Sequence, residues 1–353
     1  MYDDTMFSVG IIGASGYTGA ELLRICAQHP NFDVKTAVSS TYAQTAVSDL
    51  HAHLSAQYPE MLFEDQDLAP LEKCEVIFTG LPHGASQLVI PELLENAKLI
   101  VDLGADFRLK DPEIYSHWYE QEHVAPQLLE TASYGLPELF PNGLKNSSLV
   151  AAPGCYPTAA TLALAPFMRA GLIDSDEIIV DAASGVSGAG KTLQPGSMFC
   201  SADENFAAYG LLSHRHTPEI EQALGTGANG NKVDDVSVLF TPHLAPMNRG
   251  ILATCYARVK GELDTDTALQ VLTDTYSDMP FIMVSERSPS TKSTFASNAA
   301  HLTARVDPRT GLLVSLCAID NLGKGASGQA VQCANIVLGL DETQGLSAVG
   351  ISP

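Results

Sequence analysis

The chain has 353 residues, which exceeds most single-core domains, so we expect two domains. Its formal net charge of −22 argues against nucleic acid as a partner, because a phosphate backbone requires a basic surface. No apolar stretch reaches the ~18 residues of a transmembrane helix, and the acidic start is unlike a secretory signal, so we expect a cytoplasmic protein outside the membrane. The 7 scattered cysteines contain no CxxC pair, which argues against a disulfide framework and a zinc ribbon, and no metal is expected.

The first half of the chain alternates apolar strand patterns with helical ones. Four buried strands are predicted, at Phe7–Ile12, Phe32–Val38, Val76–Thr79 and Leu99–Leu103. Strands that alternate with helices form parallel βαβ units. We therefore predict an α/β domain built on a parallel sheet.

From about Ser147 onwards the pattern changes to alternating or apolar strands. These are predicted at Ile178–Ala182, Val236–Phe240, Ile251–Val259, His301–Val306 and Leu312–Ile319. The turn-rich stretch Asp307–Gly311 joins the last two strands and predicts an antiparallel hairpin. We therefore predict a second, α+β domain with a largely antiparallel sheet, followed by a final helix at about Ala326–Leu338.

A glycine-rich turn lies between the first predicted strand and an amphipathic helix. Such a turn presents backbone amides at a helix N-terminus, where a pyrophosphate binds. The spacing is GxxGxxG and not the strict GxGxxG, so a tight turn without a ligand is the alternative. The predicted cofactor-binding residues of this turn are Gly13, Ser15, Gly16, Tyr17, Thr18 and Gly19.

The end of the second strand indicates which dinucleotide binds. An NAD site usually carries an acid there to bond the ribose hydroxyl, whereas this chain reads Val38-Ser39-Ser40-Thr41. Hydroxyls tolerate a 2′-phosphate that a carboxylate would repel. We therefore predict NADP(H), with Ser39 and Ser40 as ligands; the alternative is an ordinary polar loop.

The segment Pro153-Gly154-Cys155-Tyr156-Pro157-Thr158 predicts a nucleophile. Pro157 suits the first turn of a helix, which places Cys155 just before the helix N-terminus. The partial positive charge of that terminus favours a thiolate. The alternative is a small buried cysteine without a chemical role.

Two histidines are candidate proton-transfer partners for this cysteine. Thr217 is predicted as an N-cap and Pro218 as a first-turn residue, so His214 and His216 would lie in an extended lead-in, on the same side. One of them can reach Cys155. The alternative for each is a plain surface histidine.

Other polar segments suit anion binding. Ser184 to Lys191 resembles an amide-rich nest and matches GxxxxGK[ST] by letter, although the better nucleotide site is the N-terminal turn. Arg108 and Arg249 are scarce cations in an acidic chain, and we predict them as substrate ligands together with Lys191 at the end of that segment. Surface salt bridges are the alternative for the two arginines.

In chain order, these segments resemble the N-acetyl-γ-glutamyl-phosphate reductases of the aspartate-semialdehyde dehydrogenase superfamily. The matching stretches are Gly13 to Gly19, Leu81 to Gly84, Asp102 to Arg108, Tyr134 to Glu138, Pro153 to Thr158, Ser184 to Lys191, His214 to Ile220, Thr241 to Leu244, Pro246 to Gly250 and Asn321 to Ala326. The resemblance implies a Rossmann domain at 1–154, completed by a C-terminal helix at about 325–353, and a catalytic and dimerisation domain at 155–324. A homodimer or homotetramer is expected.

The resemblance also implies the chemistry. Cys155 would carry the acyl group, Arg108 would bind phosphate, and a histidine, preferably His216, would handle protons. The implied neighbours of the nicotinamide are Ser184, Gly185, Ser187, Gly188 and Asn321. The implied reaction is NADPH-dependent reduction of N-acetyl-γ-glutamyl phosphate to the 5-semialdehyde, with release of phosphate, in arginine biosynthesis.

Three alternatives remain open. An aspartate-semialdehyde dehydrogenase or an aminoadipyl-phosphate reductase would use the same chemistry on another substrate. A cysteine hydrolase would use Cys155 and a histidine, but gives no reason for the glycine-rich turn. A nucleotide-sensing protein without catalysis would not need the cysteine or the paired histidines.

Overall fold

The computed structural model describes residues 5–65, 68 and 70–352. Its contacts divide the chain into two compact units. The described residues of Met1–Pro137, Gly143–Pro153 and Ala326–Leu346 form the first unit, and those of Glu138–Asn142, Gly154–Gly325 and Ser347–Pro353 form the second.

The observed units differ from the predicted domain boundaries at Gly154, which begins a segment of the second unit, and in two other short segments. Glu138–Asn142 and Ser347–Pro353, expected in the first domain, belong to the second unit. A tertiary contact explains why Glu138–Asn142 belongs to the second unit: Glu138 forms an ion pair with Lys324, and both side chains are fully buried. The tail is held by backbone bonds, for example from the N–H of Ile351 to the carbonyl of Phe295.

The first unit contains a six-stranded sheet in which every pair of neighbours is parallel. The strands are β1 Phe7–Ile12, β2 Phe32–Val38, β3 Val76–Thr79, β4 Leu99–Asp102, β5 Ser133–Tyr134 and β6 Leu149–Ala151, in the order β2-β1-β3-β4-β6-β5. The predicted strands are present, the fourth ending one residue early. β5 and β6 were not predicted because runs of two and three residues carry no periodicity.

Helices flank this sheet, as a parallel sheet buried on both faces requires. They are α1 Tyr17–Cys26, α2 Val47–Leu50, α3 Ser86–Leu93, α4 Pro112–Tyr119 and α5 Gln127–Thr131. The core includes Val9 and Ile11 of β1, Leu22 of α1 and Val101 of β4, all fully buried.

The second unit contains a seven-stranded mixed sheet that is mostly antiparallel. The strands are β7 Ile178–Gly185, β8 Ala207–Ala208, β9 Val238–Ala245, β10 Ile251–Arg258, β11 Ile282–Val284, β12 Ala300–Asp307 and β13 Leu312–Ile319, in the order β11-β12-β13-β10-β7-β9-β8. The pairs β7/β9 and β11/β12 are parallel, and the other pairs are antiparallel. The predicted hairpin of β12 and β13 is confirmed, with Asp307 opposite Leu312.

Three predicted strands of this sheet stopped too early, since β7 continues to Gly185, β12 to Asp307 and β9 to Ala245. Val236–Phe240 was predicted, and β9 instead begins at Val238 and continues through Pro242 to Ala245. A proline is tolerated in this strand because its outer neighbour β8 has only two residues, so β9 lies nearly at the sheet edge.

The helices of the second unit are α6 Cys155–Arg169, α7 Phe199–Ala202, α8 Thr217–Leu224 and α9 Thr265–Tyr276. Every residue of α6 from Tyr156 to Phe167 is buried. Ser315 of β13 donates a hydrogen bond to the carbonyl of Ala163, so α6 is tied to the sheet. This packing holds the start of α6 in a defined place.

The last helix, α10 Gly328–Leu338, belongs to the first unit. It starts two residues later than predicted, because a π-helical turn at Gly323–Ser327 precedes it. The Ser327 hydroxyl donates a hydrogen bond to the carbonyl of Thr18 at 2.9 Å, which ties this region to α1. In the part of the chain that the structure describes, no helix is long and apolar enough to span a membrane.

Candidate active site

The glycine-rich turn of the first unit packs tightly against neighbouring backbone. Gly13 has a φ of +78°, and a Cβ there would lie 2.4 Å from the carbonyl oxygen of Gly80. A Cβ on Gly19 would lie 2.4 Å from the carbonyl oxygen of Gly13. Gly16 occupies the N-cap of α1, whose first turn has no acidic residue and no capping side chain among the described residues. The turn therefore fits a pyrophosphate.

The two serines after β2 have different environments. Ser39 is buried; its hydroxyl donates to Ser15 Oγ at 2.7 Å and accepts from the N–H of Tyr42 at 3.3 Å. Ser39 therefore fastens the end of β2 to the glycine turn. Ser40 is exposed and better placed to meet a ligand from solvent.

Cys155 is the first residue of α6, preceded by Gly154 at the N-cap. It is half-buried, whereas Cys26, Cys255 and Cys317 are fully enclosed and burial raises the pKa of each of those thiols. The prediction that Cys155 lies at the N-terminus of a helix is confirmed, one residue inside the helix and not before it.

His216 is the histidine that the fold brings to this helix. Its ring lies against Gly154, where a Cβ would be 2.5 Å from Nε2. The predicted lead-in was wrong in detail. His216 itself is the N-cap of α8, with a φ of −79° and a ψ of −12°, and Thr217 is the first helical residue. A turn, and not an extended segment, carries the two histidines, and their ring centroids are 4.8 Å apart.

His214 contacts the backbone of His216. The N–H of His216 donates to His214 Nδ1 at 3.1 Å. Burial, with a smaller contribution from Arg215, lowers the pKa of His214 to about 4, so the ring is neutral at pH 7. The ring also packs edge-on against Tyr156 and Phe240.

Two tyrosines line the same region without having been predicted. Tyr209 donates to the hydroxyl of Tyr156 at 3.1 Å, and Tyr156 donates to the carbonyl of His243 at 3.1 Å. Removal from water raises the pKa of both phenols, that of Tyr209 to about 12, so both are neutral donors at pH 7. Tyr156 adjoins Cys155 in sequence, but no local signal pointed to Tyr209.

The loop after β7 is closely packed and does not lead into an α-helix. A 3-10 helix at Val186–Ala189 follows β7, which removes the helix N-terminus that a P-loop requires. A Cβ on Gly185 would lie 2.7 Å from the carbonyl of Asn248, and one on Gly188 would lie 2.7 Å from Ser184 Oγ.

Asn321 binds this loop to the start of β10. Its Nδ2 donates to Ser187 Oγ at 2.9 Å, and its Oδ1 accepts from the N–H of Gly250 at 2.7 Å. One connected group therefore contains the predicted residues Ser184, Gly185, Ser187, Gly188 and Asn321. Lys191 is exposed at the end of the loop. That they contact the nicotinamide stays a prediction.

Neither arginine forms an ordinary surface salt bridge. Arg249 Nε lies 3.0 Å from Asp320 Oδ2, and the Asp320 side chain is fully buried. In the first unit, Arg108 is buried, and its guanidinium donates to the carbonyls of Ala152 at 2.8 Å and Leu103 at 2.7 Å. Both guanidinium groups are therefore fixed in orientation.

Within the described residues, no group of three or more His, Cys, Asp or Glu side chains could hold a metal ion.

The comparison with known sequence families agrees with these two units. The family described as "Semialdehyde dehydrogenase, NAD binding domain" matches residues 8–147, and "Semialdehyde dehydrogenase, dimerisation domain" matches residues 155–321.

Solved structures show the same fold. An aspartate semialdehyde dehydrogenase II from Vibrio cholerae has a TM-score of 0.70 at 16% identity, covering 95% of this chain and 98% of that one. The enzyme from Candida albicans, solved with NADP, has a TM-score of 0.69 at 14% identity, covering 95% and 99%.

Curated relatives are much closer in sequence. The N-acetyl-gamma-glutamyl-phosphate reductase of Desulforudis audaxviator is 47% identical over 99% of this chain and 100% of its own length. That of Ectopseudomonas mendocina is 46% identical over the same shares. The resemblance predicted from the motifs is confirmed: the chain belongs to the N-acetyl-gamma-glutamyl-phosphate reductase family of semialdehyde dehydrogenases.

Proposed function

We propose that this chain reduces N-acetyl-γ-glutamyl phosphate to N-acetylglutamate 5-semialdehyde with NADPH and releases inorganic phosphate. The observation that carries the proposal is the place of Cys155 at the start of α6, with the His216 ring against the residue before it. The curated relatives bear the name of this activity over 99% of the chain.

Cys155 supplies the nucleophile. Its thiolate attacks the acyl carbon, a carbon–sulfur bond forms, and the carbon–oxygen bond to phosphate breaks with its electron pair leaving on phosphate. The helix N-terminus favours the thiolate for this step. The product is a thioester on Cys155, and the good leaving group makes ATP unnecessary.

His216 moves the protons. It accepts the proton of the Cys155 thiol before attack and returns a proton to the oxyanion formed when the thioester is reduced. NADPH, when bound, supplies the hydride for that reduction. His214 remains neutral and holds the backbone of His216 through Nδ1. Collapse of the thiohemiacetal releases the aldehyde and restores the thiol.

Local cations offset the charge of the chain, which otherwise repels an anionic substrate. We assign Arg108 to the phosphoryl group, because carbonyl oxygens of the first unit fix its guanidinium. Arg249, oriented by Asp320, and Lys191 are our candidates for the remaining negative groups of the substrate.

The glycine-rich turn and the residues after β2 fit NADP(H). The turn Gly13–Gly19 would hold the pyrophosphate, and Ser40 would meet the 2′-phosphate, with Ser39 holding the two segments together. A structural neighbour was solved with NADP.

We also propose that two copies of the chain associate through the sheet of the second unit, as a homodimer or as part of a homotetramer. Helix α6 covers one face, where alternate residues of β10 such as Ala253 and Cys255 are fully buried. On the other face Ile179 of β7 pairs in register with Leu239 of β9, and both are exposed, at 40% and 48%. A second copy would cover this apolar pair, as the matched dimerisation family suggests.

One assay tests the activity and its nearest competitor together. In the reverse direction, the protein should reduce NADP+ with N-acetylglutamate 5-semialdehyde only when inorganic phosphate is present. Aspartate semialdehyde at equal concentration is the matched comparison. Higher kcat/KM on aspartate semialdehyde would transfer the assignment to aspartate-semialdehyde dehydrogenase.

Cell fractionation would test the expected cytoplasmic location.

A further inference from the structure

Glu219 is a buried carboxylate that the chemistry above does not use. It is 1% exposed and lies in the first turn of α8, three residues after His216. Its Oε1 accepts a hydrogen bond from the backbone N–H of Gly154 at 2.8 Å. Burial of a carboxylate costs free energy unless the carboxylate is hydrogen-bonded, so the bond from Gly154 stabilises Glu219 in this position.

Gly154 is contacted by both residues at the start of α8. The His216 ring lies against its Cα, and the Glu219 carboxylate holds its N–H. The next residue in the chain is Cys155. One short segment of α8 therefore fixes the proton carrier and also the peptide that leads into the nucleophile.

We propose that Glu219 is a positioning residue for the reductase reaction, holding Gly154 so that Cys155 and His216 keep a reactive separation. The proposal rests on the proposed function. The same bond can maintain the register between α6 and α8, because Gly154 precedes Cys155 and Glu219 lies in the first turn of the helix that His216 caps. A displacement of about 1 Å at such a pair can cost about 100-fold in rate.

The charge of Glu219 has a second effect, separate from its hydrogen bond. A carboxylate bonded to the residue before the thiol favours the cationic imidazole and disfavours the thiolate. It therefore moves both ionisations, and with them both limbs of a bell-shaped pH profile, to higher pH. Removal of the charge without loss of the hydrogen bond should move both limbs to lower pH.

Three variants separate these effects. Glu219→Gln keeps an acceptor oxygen and removes the charge, and Glu219→Ala removes both. Glu221→Gln is the matched control, because Glu221 lies on the same helix and also bonds a backbone N–H, that of Val238 at 3.0 Å, away from Gly154. Reductase kcat and KM are measured against pH, with thermal unfolding to count the folded fraction.

In Glu219→Gln we expect both limbs at lower pH with KM for the acyl phosphate within about twofold, since the substrate contacts are unchanged. In Glu219→Ala we expect kcat to fall by about 100-fold per folded molecule. Glu221→Gln should match the wild type. A kcat in Glu219→Ala within about twofold of wild type would overturn the positioning role, and unshifted limbs in Glu219→Gln would overturn the charge effect.

Alkylation separates this proposal from the proposed function. The rate at which iodoacetamide labels the Cys155 peptide requires neither substrate nor cofactor. Its pH midpoint should be lower in Glu219→Gln than in the wild type and in Glu221→Gln, because a negative charge near the thiolate is gone. If the wild type lacks reductase activity but the midpoint shifts, the function is wrong and the charge effect of Glu219 on Cys155 stands. An unchanged midpoint contradicts the charge effect.

Discussion

The imidazole of His216 lies so close to the Cα of Gly154 that a methyl group there would be 2.5 Å from Nε2. Gly154→Ala should therefore displace the ring and lower kcat by about 100-fold, with little effect on cofactor binding. Gly196→Ala is the control, because a methyl group at that position would meet no atom within 4 Å. Steady-state kinetics with NADPH fluorescence titration check both statements. Equal kcat values in the two variants would contradict the contact.

Cys155 should carry the covalent intermediate. Cys155→Ser should fold and bind NADP(H), but lose activity by about 1,000-fold or more, because a hydroxyl is a far weaker nucleophile. Without NADPH, the acyl phosphate should add its acyl mass to the Cys155 peptide in mass spectrometry. Cys200 is exposed, so alkylation will reach it too. Loss of activity on alkylation should nevertheless be unchanged in Cys200→Ser; protection by that substitution would count against Cys155.

The two histidines should respond differently to the same substitution. His216→Asn should lower kcat by about 100-fold, because it removes the proton carrier. His214→Asn should cost about tenfold or less and leave the limbs of the pH profile in place, because the pKa of His214, lowered by burial to about 4, lies below the working range. A larger loss in His214→Asn would reverse the assignment of roles.

Asp102 should make the stability of the first unit fall as pH rises. Burial raises its pKa to about 6, although Thr79 and Gly104 donate hydrogen bonds to its Oδ1. The folded state therefore binds more protons than the unfolded state between pH 3.8 and about 6, so stability decreases across that interval.

Asp102→Asn tests this effect, because the amide resembles the protonated acid and keeps the acceptor oxygen. At pH 8 the variant should be more stable than the wild type, by on the order of 2 kcal/mol, and the difference should vanish near pH 4. Chemical denaturation at both pH values provides the measurement. A difference that does not change with pH would show that Asp102 ionises normally.

Cofactor preference should depend on the residues after β2. The wild type should use NADPH with higher kcat/KM than NADH. Because Ser40 is exposed, Ser40→Asp should fold normally and lower kcat/KM for NADPH by about tenfold through repulsion of the 2′-phosphate. NADH in the same variant is the internal control and should be little affected. Comparable efficiencies with both cofactors in the wild type would refute the preference.

Assembly should depend on the exposed face of the second sheet. Leu239→Arg places a charge beside Ile179 and should convert the oligomer to a monomer in light scattering at micromolar concentration. Leu88→Arg on α3, at 67% exposure, is the control and should leave the assembly intact. A wild type that is already monomeric would exclude the proposed interface.

Local sequence patterns were sufficient to predict several parts of the structure. β1, β2, β3 and β13 have the predicted bounds, because each is an apolar run between turn or helix signals. The glycine-rich turn and the helix start at Cys155 could also be read from neighbouring residues, since turns and helix ends depend on a few adjacent positions.

Other features depend on residues far apart in sequence, and these only the tertiary structure decided. The place of the His216 ring against Gly154 follows from the packing of α8 against α6. The bond from Gly154 to Glu219 and the ion pair of Arg249 with Asp320 join positions 65 and 71 residues apart. The sequence by itself determined most of the strand positions, the glycine turn and the helix start at Cys155, because short-range sterics and periodicity encode them. The approach of His216 and Glu219 to Gly154 was decided by the path of the whole chain, to which no local pattern corresponds.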